Sequence, residues 1–268
     1  MTGGAVGTLI AGALYAVLAP YGWRVVFFAG ILPALLLVLF RKGMVEPERF
    51  TDMQQRREAA VTSTAEADRD LVGVPVLKLF EPKLLYTTMV GLMFAVGSLL
   101  AIWTSNIWLP TIQGLMLERA GIKGADAVPY VARGMMLFGL GGIAGYSAFG
   151  FIADAIGRKP TITLYSLATI ASGLFLYLGL SDWTYYPYVL PVFGFFVFGV
   201  FSGHAIYFPE LFPTHVRATA VAFCNGAGRV VTSFGPLVAG LLVAQFGGNF
   251  NLATAFITCF AILSVIAM

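Results

Sequence analysis

The sequence predicts an all-α polytopic membrane protein, and three features support this class. Hydrophobic residues make up 59% of the chain and charged residues only 11%, whereas a soluble domain carries about a quarter charged residues. Several apolar runs reach the roughly 20 residues that a helix needs to cross a hydrocarbon core of about 30 Å. The short polar/apolar alternation that marks a transmembrane β-barrel does not occur in the sequence. We therefore expect a bundle of membrane-spanning helices.

Eight apolar segments are candidate transmembrane helices, and one long polar insert separates the second from the third. The chain starts with "MTGGAVGTLIAGALYAVLAP", which lacks the basic beginning of a signal peptide and is interpreted as a helix that stays in the protein. Residues 41–83 carry most of the charge, and residues 74–84 are typical of a short amphipathic piece at the membrane surface. The candidate segments are 3–20, 25–41, 84–108, 131–153, 161–180, 187–207, 218–243 and 251–268.

The distribution of Lys and Arg predicts which side of the membrane each loop faces. Eleven of the sixteen lie in the 41–83 insert, at the 154–160 joint and at the 208–217 joint. Because positively charged loops stay in the cytoplasm, these three connections are expected to be cytoplasmic. Both chain termini are then cytoplasmic too. The net charge of +3 is explained by this orientation, so it does not indicate nucleic-acid binding.

The joint "GFIADAIGRKP" at residues 150–160 concentrates polar residues between two apolar segments. Gly150 is expected to let a neighbouring backbone approach, and Gly157 to permit the tight reversal. Asp154 is placed to accept hydrogen bonds from a helix N-terminus or to pair with an arginine. Arg158 and Lys159 are expected to anchor the turn at the anionic leaflet. A short cytoplasmic hairpin alone would need such residues, but the spacing G-x-x-x-D-x-x-G-R-K is more specific.

That spacing resembles the loop motif G-x-L-A-D-R-x-G-R-K of the major facilitator superfamily, with Ala155 replacing the usual arginine. A second string, "PELFPTHVR", resembles the loop between helices 10 and 11 in the sugar, organic-ion and aromatic acid:H+ symporter-like branches. The resemblance implies family helices 5–12, that is, an N-terminally truncated chain with eight of a presumed twelve helices. It also implies that the two loops latch the access states of the carrier. The latch residues would be Gly150, Asp154, Gly157, Arg158, Lys159, Glu210 and Arg217.

The same resemblance divides the chain into three parts. Residues 1–41 would be the last two helices of an N-terminal six-helix half, and residues 42–83 the cytoplasmic central loop. Residues 84–268 would be the C-terminal six-helix half. Because the other half of the cavity is absent from this layout, a partner is required, either the missing N-terminal helices or another chain.

Arg229 is the principal candidate for substrate binding, because it lies about 18 Å into an apolar helix and charged residues at that depth are costly. It could bind an anionic substrate, pair with an acid on an absent helix, or donate to backbone carbonyls near Pro236. Asn225 and either Thr232 or Ser233 are expected on its face.

Further candidates come from the polar string "WTSNIWLP" and from the next polar helix. Trp103, Asn106 and Gln113 fall close to one helix face and either line the pathway or belong to an interfacial aromatic belt. His204 is either a satisfied polar residue or a group that titrates during proton coupling. Arg133 is expected to reach the headgroups or to act as an outer gate. The pairs Gly3/Gly7 and Gly141/Gly145 favour close helix packing.

No catalytic constellation, cofactor motif or metal-binding pattern occurs in the sequence, and Cys224 and Cys259 are interpreted as small core residues. We therefore expect no enzyme and no cofactor, and the resemblance to the major facilitator superfamily implies a transporter. The resemblance also implies proton-coupled symport in a bacterial inner membrane, and the position of Arg229 favours a small organic anion as substrate. The expected partners are a small-molecule substrate, protons and the lipid bilayer. The alternatives are a sugar porter of the same superfamily and a non-transporting sensor or partner subunit.

Overall fold

A computed structural model describes residues 3–31, 52, 55, 75–214 and 216–268, and every regular element within them is helical. Six helical segments in these residues are long and apolar enough to cross a membrane: Gly3–Tyr21, Pro82–Arg119, Gly124–Ile156, Arg158–Gly179, Trp183–Leu211 and Arg217–Gln245. A seventh apolar stretch, Phe250–Ile266, is shorter. The all-helical class and six of the eight candidate segments are thereby confirmed. Most of the second candidate segment, 25–41, and most of the 42–83 loop lie outside the described residues.

The helices are numbered here in chain order, and one of them is longer than predicted. They comprise α1 Gly3–Leu18, α2 Trp23–Ala29, α3 Pro75–Lys78, α4 Pro82–Arg119, α5 Val128–Ile156, α6 Arg158–Leu174, α7 Tyr186–Leu211, α8 Arg217–Ser233, α9 Gly235–Gln245, α10 Phe250–Thr258 and α11 Ile262–Ile266. The prediction that the third span ends at residue 108 is wrong, because α4 continues through Pro110 to Arg119. Ser105 and Asn106 do not end the helix, since their side chains donate to the carbonyls of Ala101 and Ile102 at 2.7 and 2.8 Å.

Two aromatic-rich clusters form the core, one toward each end of the bundle. The first is built around Phe138, Phe193 and Phe198, and the second around Phe94, Phe149 and Phe208. Both draw on α4, α5 and α7, so these three helices run the length of the core. The Arg158 turn lies at the end where α5 and α7 terminate.

Helices α5 and α7 approach each other closely because of glycines on α5. A Cβ added to Gly141 would overlap the carbonyl of Pro191, and one added to Gly145 would overlap the carbonyl of Phe195. The predicted small-residue packing is confirmed for this pair. At Gly3 and Gly7, a Cβ would meet no atom of the described residues within 4 Å, so close packing is not seen there. Helix α1 instead packs on α5 through Gly12 and Gly139.

Candidate functional site

Arg229 lies near the middle of the apolar segment Arg217–Gln245 and borders two cavities. One cavity, of about 770 Å³, is also lined by Asn225 and Arg217. The other, of about 280 Å³, is also lined by Trp103 and Ser233. Within the described part of the chain, the Arg229 guanidinium forms no ion pair or hydrogen bond with another side chain. An exposed guanidinium and an indole ring therefore share one cavity wall.

The hydroxyl groups expected beside Arg229 are engaged by the backbone. Thr232 donates to the Arg229 carbonyl at 3.0 Å, and Ser233 donates to the Val230 carbonyl at 2.7 Å. Because each hydroxyl has one proton, neither has a further proton to donate to a ligand in this arrangement. The ligand-binding capacity on this face lies mainly in the guanidinium.

A buried chain of hydrogen bonds through Ser98 and His204 fixes the orientation of the Asn225 amide. His204 Nδ1 lies 2.8 Å from Asn225 Oδ1, and His204 Nε2 lies 2.6 Å from Ser98 Oγ. The Asn225 amide nitrogen donates to the Val221 carbonyl at 2.9 Å. Since Oδ1 can only accept, His204 Nδ1 must carry a proton. His204 is fully buried among aromatic rings, so it holds Asn225 in place.

Two protonation arrangements satisfy this chain. With a neutral imidazole, the Ser98 hydroxyl donates to Nε2. With an imidazolium, Nε2 donates to Ser98 Oγ while the hydroxyl donates to the Phe94 carbonyl, which lies 2.6 Å away. Rotation of one hydroxyl thus accommodates one extra proton without moving a helix.

The other candidates on α4 line separate cavities, because α4 meets a different neighbour at each height. Trp103 borders the Arg229 cavity beside α8. Asn106 lines a cavity of about 800 Å³ against α1 and α5, where its Oδ1 lies 3.4 Å from the Thr8 hydroxyl. Gln113 lines a third cavity, of about 440 Å³, against α5 and α7. Trp103, Asn106 and Gln113, which were predicted to fall close to one helix face, therefore line three different cavities.

Arg158 connects three helices at the turn between α5 and α6. Its Nη1 donates to Asp154 Oδ1 at 2.8 Å and to the Ala153 carbonyl at 3.1 Å. Its Nε lies 3.3 Å from each carboxylate oxygen of Glu210, at the end of α7. Gly157, which makes the turn, has φ +97°, a conformation that favours glycine. We call Asp154, Arg158 and Glu210 the clamp.

The remaining residues of the two loop motifs lie around the clamp. Lys159 is exposed, and Arg217 Nε donates to the Phe212 carbonyl at 3.3 Å. A Cβ added to Gly150 would meet no atom of the described residues within 4 Å. The close approach expected at Gly150 is therefore not seen there; it occurs at Gly145, one and a half turns earlier.

Sequence reasoning missed the 800 Å³ cavity and the Ser98 hydrogen bond. Thr8, a small hydroxyl residue in the apolar helix α1, lines this cavity and is the sequence feature that could have indicated it. Ser98 carries no comparable signal, because a serine in a spanning helix usually bonds its own backbone. Within the described residues, no three His, Cys, Asp or Glu side chains converge to hold a metal ion.

Comparison with known proteins identifies relatives over nearly the whole chain. The family model of the Major Facilitator Superfamily matches residues 1–230. A metabolite transport protein of Haemophilus influenzae is 32% identical over 97% of this chain and 59% of its own length. The cis,cis-muconate transport protein of Acinetobacter baylyi is 30% identical over 92% of this chain and 55% of its own. The gallate transporter of Pseudomonas putida is 28% identical over 91% and 56%, respectively. The chain thus spans a little over half the length of these relatives. No solved structure matches it.

Proposed function

Because this chain belongs to the Major Facilitator Superfamily, whose members here are transporters and not enzymes, we propose that it carries a small organic carboxylate across a membrane. The observation that carries the proposal is the Arg229 guanidinium, which borders a cavity with Trp103 and has no acidic partner among the described residues. A planar guanidinium binds a carboxylate through two parallel hydrogen bonds. An aromatic ring on the same wall suits a conjugated or aromatic acid.

The relatives support this choice over a sugar porter. Cis,cis-muconate and gallate are the named cargo of two of them, and both are organic acids. A neutral sugar would leave the guanidinium without an anionic partner at a depth where an unpaired charge is costly. The substrate class that we propose is therefore an aromatic or unsaturated carboxylate.

We further propose proton-coupled symport by alternating access. The Ser98–His204–Asn225 chain supports this step, since it holds a buried imidazole directly behind an amide of the Arg229 cavity. A proton added to Nε2 would turn the Ser98 hydroxyl toward the Phe94 carbonyl, while Nδ1 would go on donating to Asn225 Oδ1. Arg229, on the same helix as Asn225, and Arg217 are the charged residues that line this cavity.

The domain division and orientation complete the proposal. Residues 84–268 would form one six-helix half, residues 1–41 would contribute helices to the other, and residues 42–83 would connect them. The clamp end of the bundle would face the cytoplasm of a bacterial cell, with both termini on that side. Eight spans of a twelve-helix carrier remain the proposed layout.

Uptake measurements test the proposal directly. Cells producing the protein should accumulate radiolabelled benzoate at neutral pH above the level of cells that lack it, and gallate and muconate should compete. Benzamide, the uncharged analogue of the same shape, should not compete. A protonophore should abolish accumulation if protons drive it. Competition by glucose in place of gallate would instead favour the sugar porter.

The clamp is proposed to hold one access state closed, and replacing Arg158 by lysine tests this role. A single ammonium cannot reach Asp154, Glu210 and the Ala153 carbonyl together, so the state that the clamp holds should lose population. These groups are solvent-exposed, so the free energy of unfolding should change little. The same exposure limits how far the clamp can favour one access state, so we expect the initial uptake rate to change by at most about five-fold.

Lys83→Gln is the matched control for the clamp, since it removes an exposed cation from the start of α4 and Lys83 belongs to neither loop motif. Its uptake rate should remain close to that of the parent protein. If both variants changed uptake equally, the effect would come from the loss of a surface charge and the clamp would have no specific role.

A further inference from the structure

We propose that a second cavity, at the end of the bundle opposite the clamp, binds an aromatic carboxylate. This aromatic cavity has a volume of about 440 Å³, within the range of roughly 300–1,000 Å³ that holds small molecules. Its wall contains four aromatic side chains, one cation and one amide: Tyr130, Trp183, Tyr186, Tyr188, Arg133 and Gln113. The ligand class rests in part on the proposed function; the binding argument rests on the cavity itself.

The aromatic cavity is separate from the Arg229 site. It lies where α4 ends, where α5 begins and at the turn Trp183–Tyr185 before α7. The clamp lies at the other ends of α5 and α7. The lining of the aromatic cavity shares no residue with either cavity that Arg229 borders. A ligand could therefore occupy both places independently.

The aromatic walls are held in position by local structure. Tyr130 and Trp183 meet edge to face, with ring centroids 5.1 Å apart and planes at 73°. Asp182 accepts a hydrogen bond from the Thr184 backbone at 2.9 Å, which fixes the turn that carries Trp183. The Tyr186 hydroxyl donates to the Leu176 carbonyl at 3.2 Å, which fixes that ring. Prepositioned rings of this kind favour a flat, unsaturated ligand.

The polar groups of the cavity have unused hydrogen-bonding capacity. The Gln113 side chain is buried, with 5% of the residue exposed, and it occupies space that exists only because Gly134 has no Cβ. Its amide nitrogen contacts only the weak acceptor Met135 Sδ, at 3.8 Å, among the described residues. A buried amide left with so weak a partner is destabilising. The position is better satisfied when a ligand oxygen accepts from this amide.

Arg133 supplies the charge that selects an anion. Within the described ranges it forms no ion pair with an acid, and its second-turn position on α5 places it at the rim of the aromatic cavity. A carboxylate can bind the guanidinium while the attached ring contacts the aromatic walls. A lipid phosphate would satisfy Arg133 but would leave the rings and the Gln113 amide without a role.

Binding stoichiometry distinguishes this site from the Arg229 site. Purified protein in phosphatidylcholine nanodiscs should bind two radiolabelled benzoate molecules per chain. Arg133→Gln should weaken one of the two sites by at least about ten-fold, because a charge-assisted hydrogen bond is lost, and leave the other unchanged. Trp183→Leu should weaken the same site. Arg119→Gln, which removes an exposed cation from the same end of α4, should keep both sites.

Three results would overturn the inference. Arg133→Gln could retain both sites, or benzoate could bind once per chain and be lost only in Arg229→Gln. Alternatively, the Arg133-dependent site could disappear in phosphatidylglycerol nanodiscs, which would identify an anionic lipid headgroup as its occupant. The proposed function fails separately, since loss of the Arg229 site alone or absence of benzoate uptake does not require loss of the Arg133 site.

Discussion

Replacing Gly145 by alanine should destabilise the protein by about 1–3 kcal/mol, the range measured for overpacked cores. The new Cβ would overlap the Phe195 carbonyl of α7. A backbone carbonyl cannot rotate aside as a long side chain can, so α5 and α7 must move apart. Both helices contribute to both core clusters, and their separation would loosen packing at each end of the bundle. Heat-induced loss of the monodisperse protein in detergent measures the effect.

Gly150→Ala is the matched control, because it makes the same change on the same helix. A Cβ there meets no atom of the described residues within 4 Å, and alanine is the better helix former by about 1 kcal/mol. The control should therefore be as stable as the parent or slightly more stable. Equal destabilisation by the two substitutions would mean that glycine flexibility, and not the contact between α5 and α7, is what matters on α5.

The fold class could be predicted from composition because the membrane imposes one dominant constraint. Each backbone polar group in lipid needs an internal partner, so long apolar runs form helices and their positions can be predicted from the sequence.

The length of α4 could not be predicted, because Pro110 and the polar string before it normally indicate a helix end. In the structure the polar side chains bond to carbonyls one turn back, so the helix continues and carries Gln113 into a different cavity from Trp103.

The candidate site was predictable only where a residue is costly in its surroundings. Arg229 could be identified because a cation in mid-membrane requires an explanation. Arg158 contacts both Asp154 and Glu210, which are 56 positions apart in the sequence. No local sequence pattern predicts a contact over that separation. The same holds for Ser98 and His204, which are separated by 106 positions and meet through the packing of α4 on α7. Periodicity locates faces, whereas tertiary packing decides which faces meet.

Replacing Arg229 by glutamine should reduce the kcat/KM for carboxylate uptake by roughly 10- to 150-fold. This factor corresponds to the loss of about 1.5–3 kcal/mol, the net contribution of hydrogen bonds to a charged group. The protein should remain folded, because the guanidinium is exposed to the cavity and forms no ion pair among the described residues. Arg229→Lys should retain part of the uptake, since lysine keeps the charge but loses the planar, two-pronged geometry.

The graded order, with arginine above lysine and lysine above glutamine, is what separates carboxylate binding from a structural role. If Arg229 only donated to backbone carbonyls near Pro236, the glutamine and lysine variants would be less stable, and their uptake of charged and neutral substrates would fall equally.

Uptake of benzoate should fall in Arg229→Gln while the monodisperse fraction after heating stays at the parent level. Arg217→Gln, at the start of α8 on the same cavity, should have the smaller effect on uptake because its Nε already donates to Phe212. Unchanged benzoate uptake in Arg229→Gln would exclude Arg229 as the group that binds the anion.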